Sequence, residues 1–257
     1  MRQTTSPPRP AWQAPPDPLT LGDDEVHVWR VPLAPAPAEL GRLRRLLAPA
    51  ETARAARFHF PRDRNRFIAA RGRLRTVLAW YLRIPPGEVR FGYGARGKPF
   101  LVGPNEELEF NAADSADLAL FAVARRRPVG VDVEFTRRPV DEEQIAARFF
   151  SPREVAALRS LPAPERRLAF FNCWTRKEAY LKAIGEGLGF GLDRFTVSLA
   201  PDEAPALLET PFDPGEARHW QLYHLEPGHG YVGALAVRGA VSRLSLWRYP
   251  SEPGDNV

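Results

Sequence analysis

The sequence predicts an α+β protein made of two halves related by duplication, each with an antiparallel sheet and a long helix. Three observations carry this. Helical patterns precede strand-like runs twice along the 257 residues. IAARGRLRTVLAWYL and FNCWTRKEAYLKAIG occupy matching places, and so do DLALFAVA and YVGALAVR. A repeated order of this kind indicates duplication, and a duplicated fold is expected to hold its site where the halves meet.

The elements follow in order. MRQTTSPPRPAWQAPPDPLT, residues 1–20, is too rich in proline for a helix and is expected to be a disordered tail. VHVWRVPL (26–33) alternates as a strand and AELGRLRRLLA repeats as a helix. A short helix, a break at Pro61 and a longer helix ending at Leu82 come next; on the longer one Phe67, Leu74, Leu78 and Tyr81 share a face, with Arg66, Arg73 and Arg75 elsewhere. VRFGYG, LEFN and LALFAVA read as strands, and RRRP interrupts the chain before VGVDVEF. The halves are therefore drawn as 21–127 and 128–250, with 251–257 a flexible tail. In the second half DEEQIAARFF, SPREVAALRSL and ERRLAFFNCWTRKEAYLKAIG read as helices, and FTVSL, HWQLYHLE and GYVGALAVR as strands.

Composition narrows the classes. A single cysteine, Cys173, allows no intramolecular disulfide and no cysteine-based zinc site, which suits a reducing cytoplasm. No apolar run approaches the ~18 residues a membrane helix needs. The net charge of +5 suits an anionic partner, whether nucleic acid, phosphorylated small molecule or acidic protein, and equally a solvated arginine-rich surface. Nucleic acid is disfavoured, because the arginines of 62–75 share their helix with a core face and lack an interleaved aromatic stripe.

The acids of two segments point to chemistry. Asp132 and Glu134, two apart on a strand, project from one face. They are either a polar strand end paired with arginines or a cation site. Trp174, Glu178 and Lys182 are spaced four apart along one helical flank, with Lys177 beside them. Glu178 and Lys182 alone would be an ordinary surface pair. Together, Asp132, Glu134 and Glu178 supply hard oxygen ligands suited to Mg²⁺, with lysines to neutralise a polyphosphate, as in metal-assisted phosphoryl transfer. The glycines of IGEGLGFGL follow their helix, so they cap it and do not cradle phosphate. The five histidines are scattered, and Cys173 sits in an apolar pattern as a packing residue.

GVDVE (130–134) and WTRKEAYLKAIGEGL (174–188) closely resemble the signature of the 4′-phosphopantetheinyl transferases, in their large monomeric Sfp-type branch. The likeness extends to RFHFPRDRNRFIAARGRLR, GKPFL, FNAADSADLAL and FFSPREV. The resemblance implies the 4′-phosphopantetheinyl transferase fold, whose two halves are pseudo-twofold related, with coenzyme A as co-substrate bound between them. It implies Mg²⁺, with Mn²⁺ as an alternative, held by Asp132, Glu134 and Glu178 together with the diphosphate. A serine of an apo acyl or peptidyl carrier protein would attack the β-phosphate and release 3′,5′-ADP, with no nucleic acid or membrane partner. Lys182 matches the lysine that offsets or protonates the leaving phosphate, and Lys177 the one that binds the diphosphate. Glu154 matches a proposed base for the serine, or is a helix N-terminal charge. Trp174 would pack beside the pantetheine arm. Arg54, Arg57 and Lys98 match basic positions around the 3′-phosphate and adenine, and Arg71 and Arg75 either face the site or stabilise the fold.

The turn FNAADS departs from the family's FN-[LIV]-SHS. Ala112 replaces a larger apolar residue, Ala113 the serine and Asp114 the histidine that contact phosphate oxygens. A unit charge at roughly 5 Å in an effective dielectric near 20 is worth about 3 kcal/mol before screening. The turn thus implies weaker coenzyme A binding with turnover kept, or a different cofactor contact in which Asp114 meets a ribose hydroxyl or Arg54, or an impaired protein. The competing reading is a non-catalytic coenzyme A or carrier-protein binding module.

Overall fold

The duplication is written out element by element in the computed structural model, which describes residues 11–103, 107–211 and 215–250. The first half runs β1 (Glu25–Pro32), α1 (Pro37–Arg45), α2 (Pro49–Ala56), α3 (Pro61–Leu82), β2 (Phe91–Tyr93), β3 (Pro99–Leu101), β4 (Leu108–Ser115) and β5 (Leu118–Arg125). The second follows the same order: β6 (Val129–Phe135), α4 (Glu142–Phe149), α5 (Pro152–Ser160), α6 (Ala163–Ile184), β7 (Thr196–Val197), β8 (Leu207–Glu209), β9 (Trp220–Leu225) and β10 (Tyr231–Arg238). In each half the last strand is central. β5 lies between β1 and β4, and β10 between β6 and β9, with every one of these pairings antiparallel.

Two boundaries need correction. A further strand, β11 (Arg243–Arg248), pairs parallel with β1, so the first sheet takes an edge from residues assigned to the second half. Nor is the segment 11–20 a free tail. Gln13 bridges Trp247, its amide donating to Leu246 O at 2.9 Å, while Trp12 Nε1 donates to Glu226 O at 2.7 Å and Leu19 packs on the first core. Residues 1–10 and 251–257 lie outside the described residues.

Strand alternation sets the layers. On β5, Ala119, Phe121 and Val123 face α3, while Leu118, Leu120, Ala122 and Ala124 pack on β6 and β10. α6 covers the outer face of the second sheet, giving the order helix, sheet, sheet, helix. Each fully buried Phe or Leu here contributes roughly 1.5–3 kcal/mol. α3 starts at Pro61, where the sequence predicts a break, and α6 ends at Gly185, whose φ of 74° suits a left-handed cap. Arg73 and Arg75 do not lie on a solvated face: Arg73 chelates Glu39 (2.6 and 2.7 Å) and Arg75 pairs with Glu51 (2.8 Å), all four residues buried. No described helix is long and apolar enough to cross a membrane.

A buried chain of donors tunes stability to pH. Trp29 Nε1 can only donate, so its 2.8 Å bond makes Tyr81 Oη the acceptor. The Tyr81 hydroxyl then donates to His27 Nδ1, 2.7 Å away, and keeps that ring neutral. Burial lowers the His27 pKa from 6.5 to about 4, against Glu25, which raises it, and with Arg243, which lowers it further. Folding favours the neutral ring, so stability is complete above pH 6.5 and falls as the pH drops towards 4. From that difference about 3 kcal/mol should be lost across the window. Urea unfolding at a series of pH values should show this loss in the wild type and a flatter profile in His27→Gln.

Candidate active site

The site grows from the contact of α6 with β6. On β6, Val129, Val131 and Val133 enter the core between the sheets, so Gly130, Asp132 and Glu134 face α6. A Cβ on Gly130 would lie 2.1 Å from Ala179 O and 2.4 Å from Ala183 N, so the helix backbone rests directly on the strand. Glu178 and Lys182 fall on the same helical flank, one turn apart. Lys182 Nζ donates to Asp132 Oδ1 at 2.6 Å. Asp132 is 5% exposed, and its Oδ2 has no hydrogen-bond partner. Burial raises the Asp132 pKa to about 7, with Lys182 opposing and Glu134 and Glu178 adding to the rise. Glu178 is also raised, by burial and then by Glu134, against Lys182. Burial works against the Lys182 charge, but Asp132, Glu178 and Glu134 outweigh it and hold the ammonium above the usual lysine range.

β4 brings the first half to this cluster. Its residues 111, 113 and 115 face the second sheet, and side chains join the two strands where no backbone ladder does. Asn111 Oδ1 accepts from Val131 N at 2.9 Å. Ser115 Oγ accepts from Phe135 N at 3.1 Å and donates to Glu134 Oε2 at 2.8 Å. Arg138 donates to the other Glu134 oxygen at 3.0 Å. Asn111, Ser115 and Arg138 escaped the sequence reading; the alternation within FNAADS, which puts 111 and 115 on one face, was the available signal for the first two. Ala113 is buried between the sheets and has no polar role. Asp114 points the other way and is solvent-exposed. The crowding of protein around its carboxylate raises its pKa, while Lys182, Arg66 and Arg54 pull it down. Arg54, exposed, lies over the Phe67 ring at 5.2 Å, and Arg57 is exposed at the end of α2. Asp114 thus stands within electrostatic reach of Arg54 from the first half and Lys182 from the second, and this meeting of the halves is called the cleft below.

This arrangement has relatives. Residues 32–126 match the family described as 4′-phosphopantetheinyl transferase, N-terminal, and residues 128–236 match the 4′-phosphopantetheinyl transferase superfamily. The 4′-phosphopantetheinyl transferase HetI of Nostoc sp. is 45% identical over 240 residues, covering 93% of this chain and 98% of that protein. The chain belongs to the 4′-phosphopantetheinyl transferase superfamily. The 4′-phosphopantetheinyl transferase psf-1 of Bacillus pumilus is 32% identical, with 67% of this chain and 76% of that protein covered. The human L-aminoadipate-semialdehyde dehydrogenase-phosphopantetheinyl transferase is 31% identical, with 76% and 68% covered.

Against the expectations drawn from that family, four residues lie elsewhere. Glu154 is 1% exposed and fully engaged: Oε2 accepts from Ser151 N at 2.7 Å and pairs with Lys177 at 2.8 Å, while Oε1 accepts from Val197 N at 2.7 Å. Lys177 is wholly buried and donates to Leu192 O at 2.7 Å and to Phe195 O. The first transferase half builds the same clamp without any acid cluster nearby. There Glu51 Oε2 accepts from Ala48 N at 2.8 Å, and Arg75 joins it to Val89 O (2.6 Å). Glu154 and Lys177 are thus buried in the fold with their polar atoms engaged, away from the acid cluster. Lys98 turns its ammonium to Ala183 O (3.0 Å) and Val129 O (3.4 Å), capping α6 beside a recess of about 450 Å³. Burial lowers its pKa, with Glu109 opposing. Trp174 lies edge-on to Phe149 and over Phe170, within the second core.

The metal expectation also changes in form. Among the described residues no three His, Cys, Asp or Glu side chains are gathered into a closed cation cage. Lys182 already holds one Asp132 oxygen, so three carboxylates do not stand ready as ligands. The donor set still fits a hard cation. Asp132 Oδ2 is buried and unpartnered beside Glu134 and Glu178, and Mg²⁺ commonly takes one or two carboxylates with the rest from water and phosphate.

Lys177 and Lys182 should separate in a stability measurement. Lys177→Met strands a buried glutamate and should lower unfolding free energy by about 3–5 kcal/mol. Lys182→Met leaves a carboxyl that can take up a proton, and urea unfolding should show less than half that loss. Equal losses would contradict the division between clamp and cleft.

Proposed function

We propose that this transferase moves the 4′-phosphopantetheine group of coenzyme A to a serine of an apo acyl or peptidyl carrier protein, acting as a cytoplasmic monomer. The observation that carries the reading is the unpartnered buried oxygen of Asp132, set beside Glu134, Glu178 and Lys182 on the cleft wall. In the reaction the serine oxygen bonds to the β-phosphorus, and the bond from that phosphorus to 3′,5′-ADP breaks. Asp132, Glu134 and Glu178 are the residues that would hold Mg²⁺ or Mn²⁺, whose chemistry when bound is to withdraw charge from the diphosphate oxygens. Lys182, held charged by the three acids, balances the negative charge gathering on the departing phosphate. The serine proton passes to a water that the partly exposed Glu178 would orient, in place of Glu154. Ser115 and Arg138 fix the Glu134 carboxylate from both sides.

Asp114 tunes affinity. An anion among Lys182, Arg66 and Arg54 already neutralises part of the field a phosphate needs, while leaving the reacting groups intact. Asp114→His should therefore lower the KM for coenzyme A roughly tenfold with kcat little changed. A rise in KM would mean that Asp114 itself contacts the cofactor.

The direct test incubates the protein with coenzyme A, Mg²⁺ and an apo carrier protein and follows the carrier by intact mass. A phosphopantetheine adduct that disappears with EDTA is expected. No adduct at any coenzyme A concentration, beside an active relative, would overturn the assignment.

A further inference from the structure

We propose that Phe60 and the arginines around it form the docking face for the carrier protein, at a surface of that partner that is acidic beside its acceptor serine. The proposal rests on the carrier-modifying function above. Phe60 is 62% exposed, more than any other large apolar side chain described. Nothing in the fold asks for it. It occupies the N-cap of α3, where a polar residue would satisfy a free helix amide, and it makes no capping bond. Its ring stands at 80° to that of His59, with centroids 4.8 Å apart.

The ring begins a line of side chains along α3 that leads to Arg54. Phe60, Arg64 and Phe67 are spaced four and three apart on one side of α3, about 10 Å from end to end. Phe67 lies beneath Arg54, which acts with Lys182 on Asp114. Across the mouth, Arg66 donates twice to Asp117 (2.9 and 2.7 Å), and Arg62 lies 3.5 Å from the same carboxylate. Tyr231 Oη accepts from Asp117 N at 3.3 Å, and its ring lies 5.0 Å from that of Phe135, next to Glu134. The opposite lip then carries Arg137 and Arg138, both exposed. Asp63 and Asp117 offset Arg66 and Arg62, and Glu134 offsets Arg138, while Arg57, Arg64 and Arg137 keep no acidic partner among the described residues. An aromatic knob within a cationic rim is the anatomy of a protein contact, with the aromatic as anchor and the charges steering an acidic partner. The serine of a domain seated on Phe60 would face the cleft where Glu178 and Lys182 stand.

Phe60→Ser and Arg64→Glu, both at exposed positions outside the catalytic set, test this in the full chain. With an apo acyl carrier protein followed by intact mass, each variant should raise the KM for the carrier by about tenfold or more, leaving kcat and the KM for coenzyme A unchanged. Added sodium chloride should depress the wild-type kcat/KM for the carrier more than that of Arg64→Glu. Unchanged carrier KM in both variants, with an active wild type, would overturn the docking face. Direct binding of the same carrier separates the two levels. If the wild type binds but transfers nothing, and Phe60→Ser weakens binding tenfold, the function fails and the docking face stands; if Phe60→Ser binds equally well, the docking face fails.

Discussion

The bare backbone at Gly130 is the constraint on which the site depends. Because α6 lies directly against β6 there, Lys182 reaches Asp132 within 2.6 Å and Glu178 stands over the same strand face. Strand and helix backbones are both fixed by their own hydrogen bonds, so neither can yield to a side chain between them. The contact also explains an arrangement that would otherwise be unfavourable. An acid is buried with one oxygen unsatisfied, beside two more acids, in a place where the protein supplies only one ammonium. Such local inconsistency is characteristic of a functional site, where a ligand completes what the fold leaves open.

Around this place the scaffold uses one device twice. Glu51 with Arg75, and Glu154 with Lys177, each tie the start of a short helix to the long helix and to the segment after it. Both are buried ion pairs; the Glu154 oxygens are each met by a backbone amide, whereas Glu51 Oε1 has no hydrogen-bond partner and lies 3.3 Å from Arg71 Nε. The two halves share this skeleton and differ in what they add to it. The first contributes cations and β4, the second the acids and Lys182.

Much of this was legible in the sequence. The duplication shows in the matched segments, and the spacing of GVDVE and of Glu178 with Lys182 places four side chains correctly on a strand face and a helix flank. What failed did so for physical reasons. α6 is buried on nearly every side, so its periodicity gives no sign that Lys177 points inward while Glu178 points to the cleft. Glu154 did announce itself, since serine followed by glutamate three residues later, in SPRE, is a capping box, and the box claims that carboxylate. Asn111 and Ser115 act across a seam between strands of different sheets, a relation that no local pattern encodes. The same is true of β11, whose partner lies at the other end of the chain.

That last pairing has a temporal side. β1 is among the first strands to leave the ribosome and its parallel neighbour is the last, so during synthesis the first sheet carries β1 as an open edge. An unpaired edge invites foreign strands, and here it closes only once β11 has been made. Gln13 then fastens to Leu246 and Arg248 from the far side of β11, through one amide and one carbonyl. β1 thus waits for β11, and the half that lacks the acid cluster is sealed only by a strand from beyond the other half.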